Sequence, residues 1–312
     1  MTVVVVDPGM ASTNLGDQII SDAVNRQFIG RLGDRHGDVT VIPMHGPLTD
    51  TSRDALRKAD EVVVCGTNLL SDHMRFRTSW EWPRDDIQLT KGKLTVFGAG
   101  WWQYQLAGID PVSARWMRAL SGGRTWAVRD EYSARRLQAA GISAVHLSCP
   151  TLWDVDTQTL PAEQERVIVT LTDYNQDPLA DKRLVDLLAE RFEVLFWPQG
   201  PGDRRYIEQL VGPGASFVDA SLSAFDAALD EPGTAYVGLR LHGGIRAMQR
   251  GVPSLILAID NRAREISRSV GLHAPSRNSF RDIEASLTPG RVVEIALPTE
   301  AISAWTADWK LS

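Results

Sequence analysis

Short aliphatic and β-branched runs alternate with helix-patterned stretches along this chain, and that rhythm narrows the folds open to it. Strand patterns fall at residues 3–6, 39–42, 61–64, 94–97, 125–128 and 144–147. Helical patterns stand among them at 17–31, 51–57 and 130–140, the last closed by Gly141, a residue that tolerates the left-handed cap. Nearly continuous apolar runs mark strands buried on both faces, and such strands joined by helices form a parallel sheet. The rhythm lapses from 148 to 164, which reads as a linker or domain crossover. It then restarts, with strands expected at 167–171, 193–196, 215–218, 235–237 and 254–258 and helices at 179–191, 204–211, 223–229 and 241–250. The expectation is therefore α/β: two Rossmann-like domains facing a cleft, at 1–150 and 165–298. A C-terminal helix at 299–312 would dock through Trp305 and Trp309, spaced one turn apart.

A chain of 312 residues suits two domains of about 150 each. Its net charge of -6, with no long basic run, argues against general nucleic-acid binding, which needs a basic face to neutralise phosphates. Any anion must then be held by local arginines. Cys65 and Cys149 make no disulfide framework and no metal-ligand spacing, so a reducing cytoplasm and a metal-free, cofactor-free site are expected. The N-terminus reads as a buried strand rather than a signal peptide, and no segment reaches the ~20 apolar residues of a membrane span. The pairs Trp80/Trp82 and Trp101/Trp102 read either as packing or as rings that stack on a sugar.

In open α/β sheets ligands bind at the carboxyl ends of strands, and unusual residue clusters fall at those ends here. Gly238-Leu239-Arg240-Leu241-His242-Gly243-Gly244 lies at a strand-to-helix turn. Such a turn offers backbone N–H groups and the positive end of a helix dipole to an anion. Arg240 adds a planar cation suited to carboxylate or phosphate, and His242 a group that moves protons near neutral pH. The plainer alternative is a core histidine beside a structural arginine.

Asn14-Leu15-Gly16-Asp17 opens the first helix, either as an ordinary N-cap or with Asn14 and Asp17 facing the cleft. Cys65-Gly66-Thr67-Asn68 places two hydrogen-bonding side chains after the third strand. Gly98-Ala99-Gly100 lacks the third glycine of a dinucleotide fingerprint, so NAD binding is not expected. Arg129, just before a helix start, implies either a ligand anion or a carboxylate partner such as Asp130 or Glu131.

The ordered set resembles the polysaccharide pyruvyl transferase family. The resemblance rests on Asn14-x-Gly16-Asp17, Gly98-x-Gly100, Val128-Arg129-Asp130-x-x-Ser133, Arg240-Leu241-His242 with Gly251-Val252-Pro253, and Asp260, and spans residues 3–264. It implies a GT-B-like fold and transfer of a pyruvyl group from phosphoenolpyruvate to a sugar hydroxyl or hydroxyl pair, with release of phosphate. On this resemblance the small-molecule partners are phosphoenolpyruvate and a sugar or sugar-like acceptor. Arg129, Arg240 and Leu241 would contact the donor, aided by Gly243 and Gly244, with His242 transferring a proton. Asp17 would act as base toward the acceptor, beside Asn14, Gly16, Thr67, Asn68 and Gly100. Two rival readings stay open: a GT-B glycosyltransferase using a nucleotide sugar, and a non-catalytic binder of a glycan or metabolite.

Overall fold

The structure is a computed structural model that describes residues 1–30, 38–76, 80–288 and 291–311. The chain divides into two compact units. The first comprises Met1–Ser12, Ile20–Trp153 and Leu297–Ser312; the second comprises Thr13–Ile19 and Asp154–Ala296.

The first unit is built on β1 (Val3–Asp7), β2 (Val39–Pro43), β3 (Glu61–Cys65), β4 (Leu94–Ala99), β5 (Trp126–Val128) and β6 (Ala144–His146). Among the described residues they form one parallel sheet in the order β2-β1-β3-β4-β5-β6. Every residue of β1, β3 and β4 is buried, which is why their sequences read as nearly continuous apolar runs, broken only by Asp7, Glu61 and Thr95. The connecting helices are α1 (Leu15–Val24), α2 (Asp50–Lys58), α3 (Arg84–Gln88), α4 (Pro111–Ser121) and α5 (Glu131–Ala139). The expected first helix, at 17–31, is continuous through Gly30: α1 passes at Val24 into a π-helical turn, Asn25–Ile29, and Arg31 lies outside the described residues. Helix α4 was not anticipated, although Asp110 caps it from the side chain and Pro111 starts it.

The second unit holds β8 (Arg166–Thr170), β9 (Glu193–Phe196), β10 (Thr234–Gly238) and β11 (Ser254–Ile256), parallel and ordered β11-β10-β8-β9. Its helices are α6 (Pro178–Ala189), α7 (Asp203–Val211), α8 (Leu222–Asp230), α9 (Leu241–Gln249), α10 (Asn261–Val270) and α11 (Phe280–Ser286). A strand was expected at 215–218. That segment makes a single bridge among the described residues, Phe217 to Phe196, at the last residue of β9. The stretch read as a linker is more ordered than its composition suggests: it carries β7 (Thr157–Thr159), paired antiparallel with β12 (Val292–Glu294). Gln158 anchors it, donating from Nε2 to the carbonyls of Ser254 and His273.

The final helix, α12 (Thr299–Leu311), groups with the first unit. Trp305 is buried there, stacked on Phe97 at a centroid distance of 4.9 Å and tilted against Phe28. The side chain of Trp309 lies outside the described residues. Trp80, Trp82 and Trp101 are buried, so these three pack; only Trp102 of the two pairs is exposed. No described helix is long and apolar enough to cross a membrane.

Both cysteines are free and buried, and burial pushes their thiols up from the ordinary range. Burial also holds the imidazoles of His146 and His273 below theirs, the latter aided by Arg291. A depressed folded value means the unfolded chain takes the proton first. Their contribution to stability is thus complete above about pH 6.5, the unfolded value, and is lost as pH falls below it. The urea midpoint is expected to drop between pH 7.5 and 5.5, and the double variant His146→Gln, His273→Gln to show a shallower drop.

Candidate functional site

In the second unit the chain runs from β8 out to β9 on one side of the sheet, then returns past β8 to place β10 on the other. Loops leaving β8 and β10 therefore diverge, and their divergence opens a crevice at the carboxyl ends of those two strands. The residues that follow the strands at this end of the sheet are Thr172-Asp173-Tyr174 after β8, Gln199-Gly200 after β9, Arg240-Leu241-His242 after β10, and Asp260 with Arg262 after β11.

Arg240 is the N-cap of α9, in extended backbone geometry, and its own side chain makes no capping hydrogen bond. Only 6% of Arg240 is exposed. Its Nε donates to Asp203 Oδ2 at 3.0 Å, its Nη2 donates to Asp203 Oδ1, and Nη2 also reaches Asp173 Oδ1 at 3.4 Å. The guanidinium lies over the ring of Tyr174, 4.9 Å from its centre, and Arg262 takes a similar place at 5.5 Å. Among the described residues Arg240 Nη1 makes no hydrogen bond. The backbone of this turn is fixed from below: Tyr236 Oη donates to the Arg240 carbonyl at 2.7 Å and shares a 2.6 Å bond with Thr170 Oγ1. Burial raises the Tyr236 phenol above its ordinary range, so the hydroxyl remains a donor.

His242 follows, in the first turn of α9 and 5% exposed. Gly243 and Gly244 serve close packing. A Cβ on Gly244 would meet Ile256 of β11 and stand 2.9 Å from Tyr236 Cε1, and one on Gly243 would stand 3.0 Å from Tyr236 Oη. Arg246, one turn on, is paired with Asp226 of α8.

Residues Thr13–Ile19 group with this second unit. Asn14, Gly16 and Asp17 thus group with the second unit, which also carries the Arg240 turn, although the chain around them on both sides belongs to the first. Asn14 Oδ1 accepts from Gly16 N at 3.0 Å and from Gln199 Nε2 at 3.3 Å, and Gln199 O accepts from Leu15 N. A side chain on Gly16 would run into Gln199. Asp17 is half-buried, its N–H on the Asn14 carbonyl.

Thr67, Asn68, Gly100 and Arg129 come together in the first unit, at the carboxyl ends of β3, β4 and β5. Arg129 is 1% exposed. It reaches Asn68 Oδ1 at 2.5 Å, the Thr67 carbonyl at 3.4 Å and Asp130 Oδ2 at 3.4 Å. Taking a guanidinium out of water costs several kcal/mol unless its donors are met. Of the two partners open to Arg129 from sequence, the carboxylate of Asp130 is present, 3.4 Å from Nε. Gly100 makes room for the guanidinium, since a Cβ there would stand 2.6 Å from Arg129 Cζ. Thr67 holds φ at 60°, a left-handed conformation that is unfavourable for a β-branched residue and is sustained here by hydrogen bonds to its carbonyl from Gly100 N and Arg129.

Sequence reasoning missed Asp203, Asp173, Gln199 and Tyr174. Asp203 opens α7 and resembles any first-turn acidic residue. The nearest signal was Gln199-Gly200-Pro201-Gly202, a loop that follows a strand end and precedes a helix, as a ligand turn does.

The model of the polysaccharide pyruvyl transferase family matches residues 14–261. The chain belongs to that family. No curated protein matches it in sequence. A solved Methanocaldococcus jannaschii UDP-GlcNAc 2-epimerase, in complex with UDP-GlcNAc and UDP, is similar in fold at 10% identity and a TM-score of 0.58, with all of both chains covered. An S. aureus MnaA–UDP structure is similar at 12% identity and a TM-score of 0.50, covering 92% of this chain and 87% of that one. At such identities the likeness is one of fold: two Rossmann-like α/β units of the GT-B class.

The packing of the first-unit cluster is testable. Gly100→Ala should displace Arg129 and lower stability by about 1–3 kcal/mol, the range for overpacking a filled site. Urea unfolding followed by tryptophan fluorescence measures it.

Proposed function

We propose that this family member transfers a pyruvyl group from phosphoenolpyruvate to a hydroxyl, or a hydroxyl pair, of a sugar or sugar-like acceptor. The observation that carries the reading is the start of α9, where Arg240 and His242 stand two residues apart on the turn that follows β10, at the divergence of β8 and β10. The second unit takes the donor side. Arg240 Nη1 and the first-turn N–H groups of α9 meet phosphate or carboxylate oxygens. The first unit takes the acceptor side, where Trp102 and Tyr104 expose rings suited to stacking on a sugar.

In this scheme a proton adds to the methylene carbon of phosphoenolpyruvate, leaving an oxocarbenium centre at C2. An acceptor oxygen bonds to C2 and gives up its proton. The C2–O bond to phosphate then breaks, phosphate leaving with the electron pair and taking a proton. A second acceptor hydroxyl then bonds to the C2 cation and releases its proton, closing the ketal; with a single hydroxyl the methyl group gives up a proton instead, leaving an enolpyruvyl ether. His242 is the proton donor, to carbon or to the departing phosphate, and Asp17 takes the hydroxyl proton. Arg129 acts through Thr67 and Asn68, holding the acceptor-side turn in place.

His242→Gln should keep its fold and lose about a hundredfold or more of phosphate release, the usual loss for a general acid. The measurement is phosphate release with phosphoenolpyruvate and a panel of nucleotide-linked and lipid-linked sugars. Undiminished turnover would remove His242 from the mechanism. The rival is a glycosyl transfer from a nucleotide sugar, a reading favoured by the UDP in both structural neighbours. Thermal shift separates the two: phosphoenolpyruvate is expected to raise the melting temperature and UDP-GlcNAc to leave it unchanged. The reverse pattern would favour the rival.

A further inference from the structure

Arg240 carries its charge between two carboxylates held in different ways. Asp203 is fully buried. Its two oxygens accept from the backbone N–H groups of Asp173, Gln199 and Gly200 as well as from Arg240 Nε and Nη2. A carboxylate with three backbone donors and a forked guanidinium has no freedom to turn. It fixes the edge of Arg240 that it grips, and so fixes where Nη1 points. The surroundings enforce that choice: a Cβ on Gly200 would collide with Arg240 Nη2, so the backbone leaves room for the side chain in this pose.

Asp173 differs in each respect. Its side chain is 42% exposed, and its contact with Arg240 is single and long, at 3.4 Å. Resting on the loop after β8, it places a negative charge against the guanidinium where an incoming anion would compete for the same group. Two carboxylates on one arginine leave that arginine with little net attraction for a phosphate-bearing donor, and only the exposed one can give way.

We propose that Asp203 is the positioning residue that aims Arg240 at the donor, and that Asp173 is a displaceable counter-ion whose place the donor's anionic group takes. The assignment rests on the reading of Arg240 as a donor contact, and needs only that the donor bear phosphate.

The test is calorimetric titration of phosphoenolpyruvate, inorganic phosphate and UDP into wild type, Asp173→Asn, Asp203→Asn, Arg240→Gln and the double variant Asp203→Asn, Arg240→Gln. Asp173→Asn should tighten binding of the anion about threefold, the scale of one partly screened like charge. Asp203→Asn should weaken it about tenfold or more, the scale of a charged hydrogen bond lost. The double variant should bind no more weakly than Arg240→Gln alone, because a residue acting through Arg240 has nothing to add once Arg240 is gone. A structural role for Asp203 would instead give additive losses, which overturns the proposal. If Asp203→Asn does not fold, Asp173→Asn decides: unchanged or weaker binding overturns it. Should UDP bind and phosphoenolpyruvate not, the proposed donor is wrong. The positioning assignment then stands if the variants keep this order with UDP, and falls if they do not. No binding of any of the three anions to wild type overturns both.

Discussion

A buried ion pair organises the carboxyl edge of the second sheet. Asp203 has no exposed surface and Arg240 almost none. Neither charge is tolerable there without the other, since an uncompensated buried ion costs several kcal/mol. The pair is held by the loop after β9 through the N–H groups of Gln199 and Gly200, by the loop after β8 through Asp173, and by the turn after β10 that carries Arg240. Three strand ends are thereby tied to one point. The placement of His242 follows, because it sits two residues past Arg240 on the helix that Arg240 begins.

The first unit solves a similar problem at Arg129, with a different outcome. There the guanidinium reaches a side-chain amide, a backbone carbonyl and the neighbouring Asp130. It holds Thr67 in a left-handed conformation and needs Gly100 beside it. Arg129 and Arg240 look alike in sequence, each at a strand-to-helix junction. They differ in their partners: Arg240 is gripped by the buried Asp203 and touched by the exposed Asp173, whereas Arg129 reaches a side-chain amide, a carbonyl and its own neighbour Asp130.

Much of the fold was legible because a strand buried on both faces must be apolar along its length. β1, β3, β4, β8 and β10 announced themselves that way. Helix α4 escaped because its start looked like a loop, Gly108-Ile109-Asp110-Pro111. Helix α10 escaped because its buried stripe is thin and four of its ten residues are Arg or Glu. The antiparallel pair β7–β12 escaped because its partners lie more than a hundred residues apart and β7 is polar, Thr157-Gln158-Thr159. At the site, Arg240, His242 and Asn14 stood out as polar groups in a local pattern. Asp203 did not, since its role lies in contacts with residues 30 and 37 positions away.

Sequence alone determined the class of the chain: two runs of buried strands with helices between them, and a strand end bearing Arg240, Leu241 and His242. Periodicity and burial are local properties, so the chain displays them directly. Tertiary structure decided which charges meet. It gave Arg240 the buried Asp203 and the exposed Asp173, enclosed Arg129 with Asn68, and grouped Asn14, Gly16 and Asp17 with the second unit. Those outcomes depend on strand order and on which groups lose water together, and neither quantity is written in any short stretch of residues.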